Sequence, residues 1–458
     1  MKITNTKDMT SGSPLILLLN FTIPLLLGNL LQQAYSIVDA AIVGKFLGIN
    51  SLAAIGASTS VIILILGFCN GCCCGFGVPM AQKFGAQDYS MLRRFIFISI
   101  RISIIISVSI AIATGLLCIH ILKWMKTPEM IMDDAYLYLL ITFIGVPFIF
   151  FYNLFSSILR AIGDSKTPFL FLALSTVINI LLDLLVILVM DWGVAGAAIA
   201  TIFSQGMSAL LCYMYIYRKY DILRITKQEK KFSFRLAKQL LYFGIPMGLQ
   251  VSITAIGMIM LQSANNSLGT ICVAAYTAAI RIKIFFVCLL ESLGIAMATF
   301  SGQNYGAGKP KRIWQGIKSA LFLVGIYVVI LNIIIWGFSK ELVLLFVDSS
   351  EIQVIENAIL FIKISAVFFI VLGVSFIFRY TIQGIGYTRL ALFSGLSEMV
   401  ARASVSIFAV PVFKFGAICF GDPIAWTFAV LFLLPAFKIV YRRLLRNLVK
   451  ESIISYRN

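Results

Sequence analysis

Charged side chains are scarce in this chain: only 12% of its 458 residues are Asp, Glu, Lys or Arg, whereas 60% are hydrophobic. A soluble domain carries roughly twice that share of charge, so the composition excludes an ordinary soluble enzyme and a disordered protein. It indicates a polytopic membrane protein whose outer surface faces lipid. The excess of 37 basic over 19 acidic residues fits cytoplasmic loops beside anionic lipid headgroups, and we expect no nucleic-acid partner.

Residues that commonly build catalytic or cofactor sites are also rare. His120 is the only histidine, which argues against a His-based metal site or an acid–base dyad. The sequence contains no Gly-rich nucleotide-binding loop, so we expect no direct use of ATP. The nine Cys lie mostly in apolar stretches and predict small core residues rather than a disulfide framework. We therefore expect a protein that is not an enzyme and has no resident cofactor or metal.

Long apolar stretches predict an all-α fold, because a bilayer-spanning helix needs about 20 apolar residues. Twelve such stretches lie near residues 15–42, 52–80, 95–122, 134–159, 168–190, 193–217, 240–263, 270–300, 315–338, 354–381, 390–412 and 416–440. Lys and Arg concentrate in alternate loops, most densely from Arg218 to Lys238, which places both termini in the cytoplasm of a plasma-membrane protein. In the second stretch, Gly67, Gly71 and Gly75 predict a face for close helix packing.

The two halves of the chain resemble each other at an offset of about 222 residues. Residues 82–86 (QKFGA), for example, match residues 303–307 (QNYGA). Six spans in each half give both halves the same orientation, so we predict two pseudo-symmetric six-helix lobes of the kind found in transporters. The predicted parts are an N-terminal lobe at 1–217 (helices 1–6), a cytoplasmic linker at 218–239, a C-terminal lobe at 240–440 (helices 7–12) and a basic cytoplasmic tail at 441–458.

Five short motifs follow one another in a fixed order along the chain. They are residues 159–168 (LRAIGDSKTP), 179–183 (NILLD), 193–201 (GVAGAAIAT), 303–308 (QNYGAG) and 422–426 (DPIAW). In this order they resemble the multidrug and toxic compound extrusion (MATE) transporters of the multidrug/oligosaccharidyl-lipid/polysaccharide exporter superfamily. The resemblance covers essentially the whole chain. It implies a twelve-helix antiporter, active as a monomer among membrane lipids, that exports amphipathic, often cationic, small molecules on a proton or sodium gradient.

Ionisable residues inside membrane spans are costly and therefore mark candidate functional sites. At about 1.5 Å of rise per residue, Asp39, Asp183 and Thr201 lie at similar depths in three spans, and Asn179 shares a helix face with Asp183. Two nearby carboxylates can hold a proton, or exchange it for a transient sodium ion with oxygen ligands. The resemblance assigns this coupling role to Asp39, Asn179 and Asp183, with Thr201 as a further match. A structural polar network between packed helices is the alternative interpretation.

Pro24 lies four turns before Asp39 in the same predicted helix. The resemblance implies that this helix bends at Pro24 when the aspartate is protonated. The residues alone allow a static kink equally well, because proline frees a backbone carbonyl in either case.

The second lobe lacks the carboxylate pair, since Arg402 and Ser406 replace Asn179 and Asp183. Glu398 and Arg402 are four residues apart and predict an ion pair within one helix, with either a structural role or a role in gating or substrate contact. Further polar residues in the spans are candidates for a cavity lining or a gate: Tyr35, Asn153, Gln205, Gln250 and Arg281.

Alternative functions differ in the machinery that they need. A flippase or transporter of a lipid-linked or polar metabolite precursor would share the two-lobe plan, although such proteins commonly have more spans or a strongly charged cavity. A membrane-bound acyl or polyprenyl transferase would need a polar catalytic cluster at the membrane surface. The single His and the lack of an acidic metal-binding motif and of a Gly-rich nucleotide loop argue against it. The direction of transport, export or uptake, stays open.

Overall fold

The computed structural model describes the backbone of residues 8–457 and the side chains of residues 8–48 and 50–446. The predicted tail at 441–458 therefore lies partly outside the described side chains, and residues 1–7 of the predicted N-terminal lobe lie outside the described residues. Within these limits the chain forms helices and connecting turns and no β-strand. The helices are α1 (Pro14–Phe46), α2 (Ile49–Gly85), α3 (Tyr89–Trp124), α4 (Met132–Ile144), α5 (Val146–Ala161), α6 (Lys166–Leu184), α7 (Gly193–Lys219), α8 (Phe234–Asn266), α9 (Thr270–Gly306), α10 (Pro310–Leu344), α11 (Ile352–Ile385), α12 (Thr388–Ser404), α13 (Val410–Phe413) and α14 (Phe415–Arg457).

Eleven helices of the described chain are long and apolar enough to cross a membrane, and the bent pair α4–α5 makes twelve. This confirms the predicted all-α fold with twelve spans. The helices extend beyond the apolar stretches: α2 has 37 residues, or about 55 Å at 1.5 Å per residue, against a hydrocarbon core of about 30 Å. Helical hydrogen bonding thus continues past the apolar segment that marks each span in the sequence.

The α4–α5 span bends by 45° at Gly145. Pro147 lies in the first turn of α5, where its ring has no N–H to donate and would clash with the carbonyl of residue 143 in a continuous helix. A single apolar stretch in the sequence thereby becomes two helices.

The helices group into two compact units, which we call the first and the second unit. The first unit contains Ile23–Gly248, and the second contains Met9–Thr22 together with the chain from Leu249 onward. With each helix counted in the unit that holds most of it, both units have six spans. The lobe and linker boundaries inferred from the sequence remain predictions.

The core of the first unit is built from large aromatic side chains and small cysteines. Phe76, Phe95 and Phe150 are fully buried together with Cys72 and Cys73. These cysteines therefore act as the small core residues that the sequence predicts.

The predicted small-residue face of α2 is confirmed at two of its glycines. A Cβ atom added at Gly71 would lie 2.6 Å from the carbonyl oxygen of Met247, and one added at Gly75 would lie 2.6 Å from the Cα of Gly244. Only glycine permits this approach, so α2 and the first half of α8 pack backbone to backbone.

In the second unit, the start of the chain is bonded to the end of α9. The Met9 N–H donates to Gln303 Oε1 (2.9 Å), and Asn304 Nδ2 donates to the Met9 carbonyl (3.1 Å). Arg312 Nη2 donates to the Gly12 carbonyl (2.7 Å). Gln303 and Asn304 of the repeated motif thus anchor the segment that leads into α1.

Candidate coupling site

Three helices of the first unit bring the candidate polar residues together. α1 supplies Tyr35 and Asp39, α6 supplies Asn179 and Asp183, and α7 supplies Thr201. The hydroxyl groups of Tyr35 and Thr201 are 2.9 Å apart and share a hydrogen bond. Asp39, Asp183 and Thr201 lie at similar distances from the ends of their helices, at Phe46, Val189 and Gly193. Tyr35 and Asn179 lie one helical turn from the two aspartates.

Asn179 is the hub of this cluster. Its amide donates to Asp183 Oδ2 (3.1 Å) and to Tyr35 Oη (3.2 Å), and its Oδ1 accepts from the Thr201 backbone N–H (3.1 Å). The hydrogen-bond network sets this orientation of the amide, because the reverse orientation satisfies neither end. Asn179 is 2% exposed, so an amide that both donates and accepts is well suited to the position.

The carboxyl groups of Asp39 and Asp183 interact directly with each other. A hydrogen bond between two carboxyl groups requires a proton on one of them. Asp183 is fully buried, and within the described residues neither carboxyl group has a Lys or Arg partner. The Oδ1 atoms of both groups are buried and have no hydrogen-bond partner. The pair can therefore bind a proton or a small cation.

A cavity of about 10 Å³ lies beside the cluster, which is room for about one water molecule. Ser175 Oγ donates to the Ser204 carbonyl (2.9 Å) and holds α6 against α7 at this point. The lining residues are Gln32, Tyr35, Leu172, Ser175, Thr176, Asn179, Thr201, Ser204 and Gln205. Its size and polarity suit a water molecule or an ion and exclude a drug-sized molecule.

Tyr138 on α4 is a member of the cluster that the sequence did not reveal. Its hydroxyl group interacts electrostatically with both Asp39 and Asp183. Many tyrosines in apolar stretches simply pack in protein cores. Nothing in the local sequence therefore marks Tyr138 as a member of the cluster.

The other predicted cavity residues of the first unit do not join the carboxyl pair. Asn153 Nδ2 donates to the Ile149 carbonyl of its own helix (2.9 Å). Gln205 lines the small cavity, and its Oε1 is buried without a hydrogen-bond partner.

Pro24 is buried inside α1, which continues as a helix through the proline. The structure thus shows no break in α1 at this residue.

The remaining candidates lie in the second unit. Gln250 accepts a hydrogen bond from Gln383 Nε2 (3.4 Å). Arg281 lines a separate, open cavity of about 700 Å³ at the start of α9, together with Asp348 and Glu351. Neither residue belongs to the carboxyl cluster.

The predicted Glu398–Arg402 ion pair is confirmed, with Arg402 Nη1 3.4 Å from Glu398 Oε2. Both residues belong to a larger buried cluster, because Arg379 pairs with Glu398 and Arg402 Nε donates to Asp422 Oδ1 (2.8 Å). Lys283 completes it by pairing with Asp422. Sequence reasoning missed Arg379 and Asp422, although both are ionisable residues within apolar stretches and the same cost criterion would have selected them.

Membrane-spanning helices in two sequence repeats, with buried polar residues within the spans, are the plan of two-lobe membrane transporters. The sequence model of the MatE family matches residues 24–185 and 245–408, one match in each half, as the internal repeat predicts. The chain therefore belongs to the MatE family of transporters.

Two relatives and one solved structure show the extent of the similarity. The chain is 32% identical to the probable multidrug resistance protein YpnP of Bacillus subtilis (strain 168) over 83% of this chain and 84% of that protein. It is 24% identical to the multidrug export protein MepA of Staphylococcus aureus (strain MSSA476) over 82% and 84% of the two chains. An outward-facing structure of a multidrug resistance MATE family transporter has the same fold, with a TM-score of 0.90, 23% identity and coverage of 97% and 99%.

Proposed function

We propose that this protein is a secondary active antiporter that exports amphipathic, often cationic, drugs or metabolites in exchange for protons or sodium ions. The observation that carries the proposal is the Asp39–Asp183 pair, in which two carboxyl groups interact inside a helix bundle without a Lys or Arg partner among the described residues. The names of the Bacillus and Staphylococcus relatives, which refer to multidrug resistance and export, support the substrate class. In this proposal the protein acts as a monomer in the plasma membrane, with both termini in the cytoplasm.

The carboxyl pair suits ion exchange for an electrostatic reason. Two carboxylates in a low-dielectric site repel each other, and either a shared proton or a bound cation removes the repulsion. Oxygen atoms are the ligands that hard cations prefer, and the cluster offers them from Asp39, Asp183 and Thr201. Asp39 is only partly buried whereas Asp183 is fully buried, so an arriving ion meets Asp39 first.

Export requires that the ion and the substrate favour different conformations, because a ligand shifts an equilibrium only by its differential affinity for the two states. Asp39 lies on α1 and Asp183 on α6, so binding of an ion changes the force between these two helices. In the proposed cycle, ion binding lets α1 bend at Pro24 and lowers the affinity of the first unit for the substrate. The substrate is then released on the outer side.

Asparagine variants of the two carboxyl groups test the coupling. In proteoliposomes with imposed proton or sodium gradients and a panel of fluorescent dyes, Asp39→Asn and Asp183→Asn should each abolish gradient-driven transport, because neither amide can exchange an ion. The loss expected for removing an ion-binding group of this kind is roughly a hundredfold or more. If protons are the coupling ion, Asp39→Asn should also mimic the protonated state and weaken dye binding.

Asp221→Asn provides the matched control, because Asp221 forms an exposed ion pair with Arg224 in the connection between α7 and α8 and is not part of the carboxyl cluster. This variant should transport like the wild type. Thermal unfolding of all variants in detergent separates loss of transport from loss of folding. Full gradient-driven transport by both pair variants would show that the cluster is a structural network and would end the coupling proposal.

A further inference from the structure

Two spans of the second unit, α10 and α14, meet where their apolar segments end. Residues 319–339 of α10 and residues 423–437 of α14 contain no charged side chain, and Lys318 and Lys438 are the first charged residues beyond these segments at the end where the helices meet. Charged side chains begin where a spanning segment leaves the hydrocarbon layer. The two lysines therefore mark the membrane boundary at this end of the second unit.

Three aromatic rings join α10 to α14 at this boundary. The ring of Trp314 stacks on that of Phe437 with their centroids 6.0 Å apart, and the ring of Tyr441 lies 5.8 Å from Trp314 and 5.5 Å from Phe437. Trp314 is 38% exposed. Trp and Tyr favour the boundary between lipid and water, because each combines an apolar ring with a polar group. The stack thus offers an exposed edge at the level of lipid headgroups.

Four exposed basic side chains flank the aromatic stack. On α10, Lys311 lies three residues before Trp314 and Lys318 four residues after it, so both share its helix face. On α14, Lys438 lies one turn before the stacked tyrosine, and Arg442 follows Lys438 by four residues. We call the surface formed by these four bases and the exposed edge of the stack the basic groove.

Burial shows that the bases of the two helices open to the same side. On α10, Ile313 and Ile317 lie on the other side of Trp314 and are buried. On α14, Val440 and Leu444 lie on the other side of the stacked rings and are also buried. The exposed sides of both helices therefore adjoin the stack on one outer surface.

The positive charge of the basic groove is not compensated by an ion pair. None of its four bases pairs with an acidic group among the described residues. Segments 309–318 and 437–446 together contain eight basic residues and no acidic residue. Two further bases, Lys309 and Arg312, instead donate to the backbone carbonyls of Thr10 and Gly12. The groove is thus complementary to a negatively charged ligand.

Exposed apolar side chains extend from the groove along both spans. Phe322 and Ile326 follow Lys318 by one and two turns on α10, and Leu434 and Leu431 precede Lys438 by one and two turns on α14. A ligand that fits the whole surface therefore has an anionic head and long apolar chains. A free phosphate ion would use only the basic part.

We propose that the basic groove binds the headgroup of an anionic phospholipid. The phosphate lies among the four bases, the glycerol lies against the edge of the aromatic stack, and the acyl chains follow α10 and α14. Basic pockets between spans at the membrane surface recognise such headgroups. The proposal does not depend on the antiport function proposed above, because its test measures lipid binding and requires no transport.

Lipid retention by the purified full chain tests the proposal. The protein in detergent is offered equal amounts of phosphatidylglycerol and phosphatidylcholine, and native mass spectrometry measures which lipid remains bound. The wild type should retain phosphatidylglycerol in preference to phosphatidylcholine. The double variant Lys311→Gln/Lys438→Gln should bind phosphatidylglycerol more weakly by roughly tenfold, with retention of phosphatidylcholine unchanged.

Lys340→Gln/Lys414→Gln is the matched control. It also removes two exposed bases, one near the other end of α10 and one just before the start of α14, so the net charge changes equally. This variant should retain phosphatidylglycerol like the wild type, and both double variants should unfold like the wild type without added lipid. Wild-type retention by Lys311→Gln/Lys438→Gln, or equal losses in both double variants, would overturn the proposal.

Inorganic phosphate distinguishes a lipid site from a site for free anions. An excess of phosphate should not displace phosphatidylglycerol, because the ion makes no contact with the rings or the apolar path. Trp314→Ala keeps all four bases and should also weaken retention of phosphatidylglycerol. Displacement of the lipid by phosphate, or full retention by Trp314→Ala, would show that the surface attracts anions in general and would end the proposal of a lipid site.

Discussion

At the scale of single residues, the two units keep charge inside a membrane in opposite ways. Asp39 and Asp183 interact with each other without a basic partner among the described residues, so a proton or a cation is needed to compensate their charge. In the second unit, the buried cluster of Arg379, Glu398, Arg402, Asp422 and Lys283 pairs its acidic groups with basic groups. In the proposed antiport cycle the first arrangement exchanges an ion, because one proton or cation changes its net charge.

Glu229 provides a test of charge outside the spans, in the connection between α7 and α8. Hydrogen bonds from Arg93 and from Thr226 lower the pKa of Glu229 to about 2. A depressed pKa stabilises the fold at pH values above the ordinary value of 4.5, and this contribution is lost as the pH falls from about 4.5 towards 2. Glu229→Gln should therefore lower the free energy of unfolding at pH 7 by about 1–3 kcal/mol.

The measurement is thermal unfolding in detergent between pH 7 and pH 3. The difference between the wild type and Glu229→Gln should shrink below the ordinary pKa of the carboxyl group. Asp221→Asn is the control in the same connection, because the Asp221–Arg224 pair is about half exposed and such pairs contribute little. A difference between wild type and Glu229→Gln that is constant with pH would contradict the assigned cause.

The sequence predicts some residues of the site and not others, for a physical reason. Asp39 and Asp183 stand out because an ionisable residue in an apolar stretch is costly wherever the helix packs. Tyr138 reaches the pair only through the rotation of α4 about its axis, and the pairing of Arg379 with Glu398 depends on the contact between α11 and α12. Helix rotation and contact depend on packing of the whole bundle, which a single sequence does not display.

At the scale of helices, the contact between α2 and α8 is unusually close. Gly75→Ala should destabilise the protein by about 1–3 kcal/mol, because the added Cβ would lie 2.6 Å from backbone atoms of Gly244 and Phe243, which cannot rotate away. Thermal unfolding and the yield of monodisperse protein in detergent measure the effect.

Gly56→Ala is the matched control on the same helix. A Cβ at Gly56 has no atom within 4 Å, so this substitution should be neutral or stabilise the protein by about 0.5–1 kcal/mol through its effect on helix propensity. Equal destabilisation by both substitutions would show that the loss at Gly75 comes from helix propensity and not from the contact with α8.

Helix number and type were predictable, whereas interruptions within helices were not. An apolar stretch of about 20 residues predicts a span whatever its neighbours are. The 45° bend between α4 and α5 and the π-helical turns after Leu184 and Ser404 occur inside such stretches. They depend on which backbone carbonyls find other partners in the bundle, and hydropathy carries no information on that.

At the scale of the whole molecule, the chain passes between the two units inside helices and close to prolines. It enters the first unit at Ile23, next to Pro24, and leaves it after Gly248, two residues beyond Pro246. The two prolines are equivalent in the internal repeat, because residues 21–24 (FTIP) match residues 243–246 (FGIP). A proline lacks the N–H that would bond to the carbonyl four residues earlier, so bending at these points breaks one hydrogen bond fewer than elsewhere in a helix.

Pro24→Ala should therefore slow transport more than it weakens substrate binding. An alanine restores the N–H that can bond to the Asn20 carbonyl, so bending of α1 becomes more costly. Asp39 lies fifteen residues after Pro24, so the Asp39–Asp183 pair is unchanged. We expect gradient-driven transport in proteoliposomes to fall by roughly tenfold and dye affinity of the purified protein to change by less than about twofold.

Pro79→Ala is the control, because Pro79 also lies inside a long helix, α2, but away from both crossings between the units. Pro246→Ala should resemble Pro24→Ala, since the two prolines are equivalent in the internal repeat. Equal effects of Pro24→Ala and Pro79→Ala, or a loss of binding that matches the loss of transport, would assign Pro24 a static structural role.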